Sequence, residues 1–289
     1  MTNLPNVLNL KPNRLLAELN AIRAIVIKQW LHTVRYPTWV LQLLIWPLIF
    51  PAAYILTARA FAGPEQIALP VFNAATGTDN YIGYIVIGTL IWMWQNIVLW
   101  NVGLSLREEQ LRGTLESNWL TPVWRFSLLI GSILVQTVTI FFFIAVTFLE
   151  YRFLFQIHFQ GNIGLVILAF AVAFPSIYGI GITFASLVLR IKEANSLVHF
   201  VRGFVMIFCG ITFPISVLPG WMKSVSQWLP QTYVIRAIRE ITLVGADFNM
   251  VKQDLLILLG FGFIWMVIGY FAFTFMDRLS RRSGSIGQY

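Results

Sequence analysis

LREEQLRGTLESNWLTPVWR, Leu106 to Arg125, gathers the charged residues Arg107, Glu108, Glu109, Arg112, Glu116 and Arg125 in a chain that otherwise avoids charge. The 289 residues are 58% hydrophobic and 11% charged, against about 25% charged in an ordinary soluble domain. Mean hydropathy is +0.75. Apolar runs of about 20 residues, the length that crosses roughly 30 Å of hydrocarbon, recur on both sides of the charged stretch. The composition is that of an integral membrane protein. What the charged stretch does depends on which side of the membrane it occupies.

Working outward from it, spans are expected at 38–57, 81–104, 124–149, 163–189, 197–217 and 254–276, six in all. The formal charge of +8 flanks the apolar runs instead of forming a basic polar domain, so it reads as a topology signal and not as a nucleic-acid surface. A cytoplasmic N-terminus leaves only Arg59, Arg152, Lys223, Arg236, Arg239 and Lys252 outside, which places both termini in the cytoplasm and the chain in the cell (inner) membrane. The first 37 residues carry no signal-peptide pattern. Within them, residues 14–34 set Leu15, Leu19, Ile22, Val26 and Trp30 at helical spacing, which predicts an amphipathic helix on the membrane surface, ended by Tyr36-Pro37. The chain thus divides into a cytoplasmic N-terminus with its interfacial helix (1–37), a transmembrane domain (38–276) and a basic cytoplasmic tail (277–289).

A second irregular region, FCGITFPISVLPGWMKSVSQWLPQTYVIRAIRE, is cut by Pro214, Pro219 and Pro230 into pieces too short to cross. Broken backbone at membrane depth is tolerated where protein or a water-filled cavity satisfies its polar groups. The expectation is a re-entrant helical hairpin entering from the outer face, with Lys223, Arg236 and Arg239 near the outer headgroups.

In the charged stretch, Arg112 stands four residues from both Glu108 and Glu116, so these charges can pair along one helical side, with Leu111, Leu115 and Trp119 on another. Gly113 weakens the helix between them, and Thr121-Pro122 offers an N-cap and first helical position for the third span. The acids and bases cancel, which a pure topology signal does not require. A mixed-charge, pre-shaped helix suits docking into a cleft of another protein.

The residues Arg107, Glu109, Gly113, Thr114, Leu115, Glu116, Thr121, Pro122 and Val123 resemble the signature between the second and third spans of type-2 ABC exporter (ABC-2) permeases. Gly210, Phe213-Pro214-Ile215-Ser216, Leu218-Pro219, Leu229-Pro230 and Arg236 to Arg239 resemble the same family's segment between spans five and six. The resemblance implies an all-α polytopic permease of six spans that pairs with a second copy, as a homodimer, and with two copies of a cytoplasmic ATPase subunit. The charged stretch would be the cytoplasmic coupling helix, with Arg107, Glu108, Glu109, Arg112, Gly113, Thr114 and Glu116 at the contact and Gly113 permitting the bend. Arg190, Lys192 and Glu193 would form a second contact. The same resemblance places spans two and five beside the substrate path, and there Trp92, Gln95, Asn96, Phe204, Phe208 and Thr212 are the candidates.

The chain itself lacks a phosphate-cradling loop, because none of its lysines follows a glycine. ATP and Mg²⁺ would be bound by the partner, and no cofactor is expected here. His32, His158 and His199 lie far apart without acidic or thiol ligands at metal spacing. The single cysteine, Cys209, reads as packing. Two readings of Gln95, Asn96 and Asn101 stand side by side: hydrogen bonding between helices, and contact with cargo. Arg202, early in span five, reads as snorkelling to the cytoplasmic interface. The aromatic walls suit an amphiphile, either a lipid-linked glycan or a hydrophobic drug-like molecule. An ion-coupled secondary carrier is the alternative, but it calls for an intramembrane acid or broken helices in both halves, and the sequence shows neither.

Overall fold

The computed structural model describes residues 14–36, 38–62, 69–188, 191 and 194–283. Among them the regular structure is entirely helical: α1 (Arg14–Arg35), α2 (Thr38–Ala62), α3 (Leu69–Thr76), α4 (Tyr81–Val98), α5 (Ser105–Leu111), α6 (Leu115–Trp119), α7 (Phe126–Phe153), α8 (Ile163–Val188), α9 (Ala194–Phe208), α10 (Gly220–Ser226), α11 (Pro230–Arg239) and α12 (Phe248–Ser283). Among the described residues, five stretches are long and apolar enough to cross a membrane: Thr38–Ala60, Tyr81–Leu111, Phe126–Phe153, Ile163–Val188 and Phe248–Leu279. The expected fifth span is shorter than its apolar run. α9 has 15 residues and stops at Phe208, because Gly210 turns to φ +64°, a left-handed conformation that costs glycine little. Thr212 therefore lies beyond the helix and does not continue the Phe204–Phe208 stripe.

α4 is the axis of the fold. Its crossing stretch is 89% buried, against 18% for the first, so its surface faces protein on nearly every side. It runs through a wider π-turn at Leu99–Gly103 into α5 almost without a break. Beside it, α8 and α12 lie together closely enough that a Cβ at Gly179 would meet the main chain of Trp265 and Met266. Gly179→Val is expected to cost about 1–3 kcal/mol through overpacking, read as a lower melting temperature in detergent. The same change at Gly260, which has open space around it, should leave melting unchanged.

α1 packs along α7, where Ile22 and Ile25 come against Gly131. The apolar stripe read from sequence therefore divides: Leu15, Leu19 and Trp30 stay exposed while Ile22 and Val26 are half-buried. Thr121-Pro122 does not start the third crossing helix. The Thr121 hydroxyl donates back to the Asn118 carbonyl at 2.6 Å, closing the turn after α6, and α7 begins at Phe126. The donors at its entry are met instead by Glu18 of α1, which accepts from the Trp124 N–H and the Ser127 hydroxyl, each at 2.6 Å. A carboxylate there also opposes the positive end of the helix dipole.

In the proline-broken region, Pro214 precedes a short 3₁₀ turn, Pro219 precedes α10, and Pro230 is the first residue of α11. Proline suits these places because its missing N–H is not needed in a first helical turn. Arg239 is enclosed by protein. It is 8% exposed and donates to the carbonyls of Tyr84 (2.8 and 3.1 Å), Gly210 (2.8 Å) and Ile211 (2.7 Å), with its guanidinium over the Tyr84 ring. One side chain thus ties α11 to the start of α4 and to the turn that ends α9. Gly88 beneath it leaves room, since a Cβ there would collide with the Ile211 carbonyl and with Arg239 itself. Arg236 pairs with Asp254, joining α11 to α12.

Candidate functional site

The charged stretch folds as an elbow of α5 and α6 around Gly113, whose φ of +70° is a conformation that a Cβ disfavours. Because the helix is broken there, the faces before and after the bend are not continuous. Leu115 and Trp119 are buried, while Leu111 is 60% exposed instead of lying alongside them. Arg112 pairs with Glu108 at 3.3 Å. The second pairing that the spacing allows, with Glu116, does not form, and Glu116 faces outward.

Glu109 turns inward and organises the bend. Its carboxylate accepts from Lys28 Nζ of α1 at 2.5 Å, from the Thr114 hydroxyl at 2.6 Å and from Asn118 Nδ2 at 3.0 Å. Burial of an ionised group is tolerable because each oxygen has donors. Thr114 also returns its N–H to the Glu109 carbonyl at 3.0 Å. Arg107 reaches Gln110 at 2.7 Å. Farther along, Trp119 Nε1 donates to Asp277 of α12 at 2.7 Å, and Arg125 approaches the same carboxylate at 3.3 Å. The elbow is therefore fastened from behind to α1 and α12. What remains outward is Glu108, Arg112, Gly113, Glu116 and Ser117, edged by the exposed leucines Leu111 and Leu120. The expected second contact at Arg190, Lys192 and Glu193 lies outside the described residues.

Sequence reasoning missed Lys28, Glu18 and Asp277 as partners. Their contacts span 81, 106 and 158 residues respectively, and helical spacing carries no signal for pairs so distant.

The substrate-path candidates scatter. Trp92 faces α9 and donates to the Arg202 carbonyl at 3.1 Å. Asn96 lines a half-open cavity of about 750 Å³ bordered also by α1, α2, α7 and α9. Gln95 is 2% exposed, does not line that cavity and has no hydrogen-bond partner at either amide atom. Phe204 and Phe208 stack at 4.4 Å, and Phe208 continues to Trp221 of α10 at 6.0 Å. That is an aromatic seam between helices. The Arg202 guanidinium lies 5.0 Å from the Trp92 ring and borders the cavity.

Residues 38–271 match the family described as ABC-2 family transporter protein. Among curated proteins, the ABC multidrug transporter SNQ2 of Candida glabrata is 27% identical over 117 residues, which is 40% of this chain and 8% of that protein. The chain thus corresponds to a small part of that relative's length. With five helices of crossing length and a family match over most of its residues, this chain is a multi-pass membrane protein and belongs to the ABC-2 transporter permease family.

Proposed function

We propose that this chain is the membrane-spanning half of an ATP-driven exporter, that ATPase subunits dock on the elbow of α5 and α6, and that the cargo is an amphiphile, a lipid-linked glycan or a hydrophobic drug-like molecule. The observation that carries the reading is the division of the elbow. Glu109, Thr114 and Trp119 hold it from behind, while Glu108, Arg112 and Glu116 present both signs of charge outward. A charged surface fixed from behind sets the register of a complementary partner and moves with the helices it is fastened to. Arg190, Lys192 and Glu193 form the second contact in this reading.

ATP and Mg²⁺ belong to the partner, with two ATPase copies serving a homodimer of this chain. The protein sits in the cell (inner) membrane with both termini cytoplasmic. α9 and the turn after it form the fifth crossing in chain order, which brings the total to six, and α10 and α11 form the re-entrant hairpin on the outer side. Purification of the tagged chain from its native membrane is expected to bring down an ATPase subunit, and reconstituted vesicles should hydrolyse ATP only when both are present. Labelling of the isolated chain by a photoreactive ATP analogue, competed by ATP, would overturn the reading.

A further inference from the structure

The 750 Å³ cavity has two kinds of wall. Trp39, Trp46, Phe50 and Trp100 supply aromatic surface, and the amides of Gln42, Asn96, Asn101 and Gln136 supply polar atoms around Arg202. Among the described lining residues Arg202 bears the one permanent charge, and no carboxylate is present. It stands past the middle of α9, its Nε buried without a hydrogen-bond partner. Asn96 is 8% exposed, and its Oδ1 is likewise buried without a partner. Arg202 is half-buried with Trp92 as its aromatic neighbour and no carboxylate beside it in the cavity, and an unmatched buried N–H or acceptor is costly, so the composition of the cavity specifies what would complete it: an anion for the guanidinium and a hydroxyl donor for the amide oxygen. Trp46 stacks on Phe50 at 5.2 Å and is 42% exposed, so the aromatic wall continues from the polar pocket to the outside of the helix bundle. A neutral apolar drug would leave both polar groups unmatched, and a cation would be repelled.

We propose that this cavity binds the headgroup of a phosphate-bearing amphiphile, with Arg202 on the phosphate, Asn96 accepting from a headgroup hydroxyl, and Trp46 and Phe50 receiving the start of the apolar chain. The proposal rests on the exporter reading and narrows its amphiphile to one with an anionic, hydroxylated head. Such a ligand comes either as the cargo or as a bilayer lipid resident in the site.

The test uses the full chain with its copurified subunits in detergent, and brominated-chain phosphatidylglycerol, phosphatidic acid and phosphatidylcholine as quenchers of tryptophan fluorescence. Phosphatidylglycerol is expected to quench at the lowest concentration and phosphatidylcholine at the highest. Arg202→Gln should raise the concentration needed for phosphatidylglycerol by about tenfold or more, the usual weight of a charge-assisted hydrogen bond. Asn96→Ala should erase the advantage of phosphatidylglycerol over phosphatidic acid, which lacks the hydroxyl, while keeping the advantage of both over phosphatidylcholine. Because Asn96→Ala removes an unpartnered atom, it carries the test even if Arg202→Gln does not fold. Equal quenching by phosphatidylglycerol and phosphatidylcholine in the unaltered protein, or an Asn96→Ala variant that keeps the full preference, overturns the site. In ATPase-containing vesicles, ATP-driven appearance of labelled phosphatidylglycerol on the far leaflet identifies cargo, and its ATP-independent retention identifies a resident lipid; either supports the site. Failure of the exporter reading would show differently, as absent ATPase association with the lipid preference intact.

Discussion

Replacing Arg239 by glutamine is expected to destabilise the protein by about 3–5 kcal/mol, the cost typical of stripping one partner from a buried charged network. The arginine satisfies the carbonyls of Tyr84, Gly210 and Ile211 together. A glutamine is too short to span them and offers a single NH₂, so at least one of the three buried carbonyls loses its donor. Lysine keeps the charge but not the planar fork, and Arg239→Lys should recover only part of the loss. The measurement is thermal unfolding in detergent, together with the amount of protein that accumulates in the membrane. Arg236→Gln is the comparison, because the Arg236 side chain is 50% exposed and water can replace some of what it loses. Melting of Arg239→Gln no lower than that of Arg236→Gln would remove the clamp from the account of stability.

The second large effect is expected on transport and not on folding. Arg112→Ala combined with Glu116→Ala should weaken the hold of an ATPase subunit by roughly thirtyfold or more, since truncating a charge buried at an interface costs about 2–5 kcal/mol. Melting should be unchanged, because both side chains face outward in the isolated chain. Glu109→Gln separates the two sides of the elbow. It discards the ion pair with Lys28 and weakens the bonds from Thr114 and Asn118, so it should lower melting as well. If the assembled complex keeps normal affinity and transport after both outward changes, coupling does not pass through this face.

Much of the helical plan was legible in the residues, for reasons that are local. Apolar runs near 20 residues mark α2, α4, α7, α8 and α12 because hydrocarbon thickness sets their length, and prolines 219 and 230 mark where α10 and α11 begin because proline suits a helix start. Gly113 reads locally only as a weak point in a helix, and the structure makes it a left-handed turn. The errors concern what local pattern does not encode. Thr121-Pro122 has the chemistry of a helix start, yet the donors of α7 are met by Glu18, 106 residues away. Nothing local to Arg239 marks it as buried, and only the convergence of three distant carbonyls makes its burial favourable. Glu109 and Arg112 look equivalent as charged residues of one stretch, yet Lys28, Thr114 and Asn118 close over Glu109 while Arg112 stays exposed. The short helix α3 at Leu69–Thr76 went unread as well, being too brief for periodicity to register.

The Arg239 clamp has a consequence for how this chain can drift over generations. Every hydrogen-bond acceptor it uses is a main-chain carbonyl, an atom that all twenty residue types carry, so the side chain at 211 can be exchanged without removing a hydrogen bond, and an exchange at 84 gives up only the ring beneath the guanidinium. Constraint gathers instead where side-chain identity decides whether the carbonyls can converge at all: Gly88, where any larger residue collides, and Gly210, whose turn presents its own carbonyl and the next. Relatives of this chain should therefore vary freely along much of this junction while holding one arginine and two glycines, a pattern easily mistaken for three unrelated conserved points.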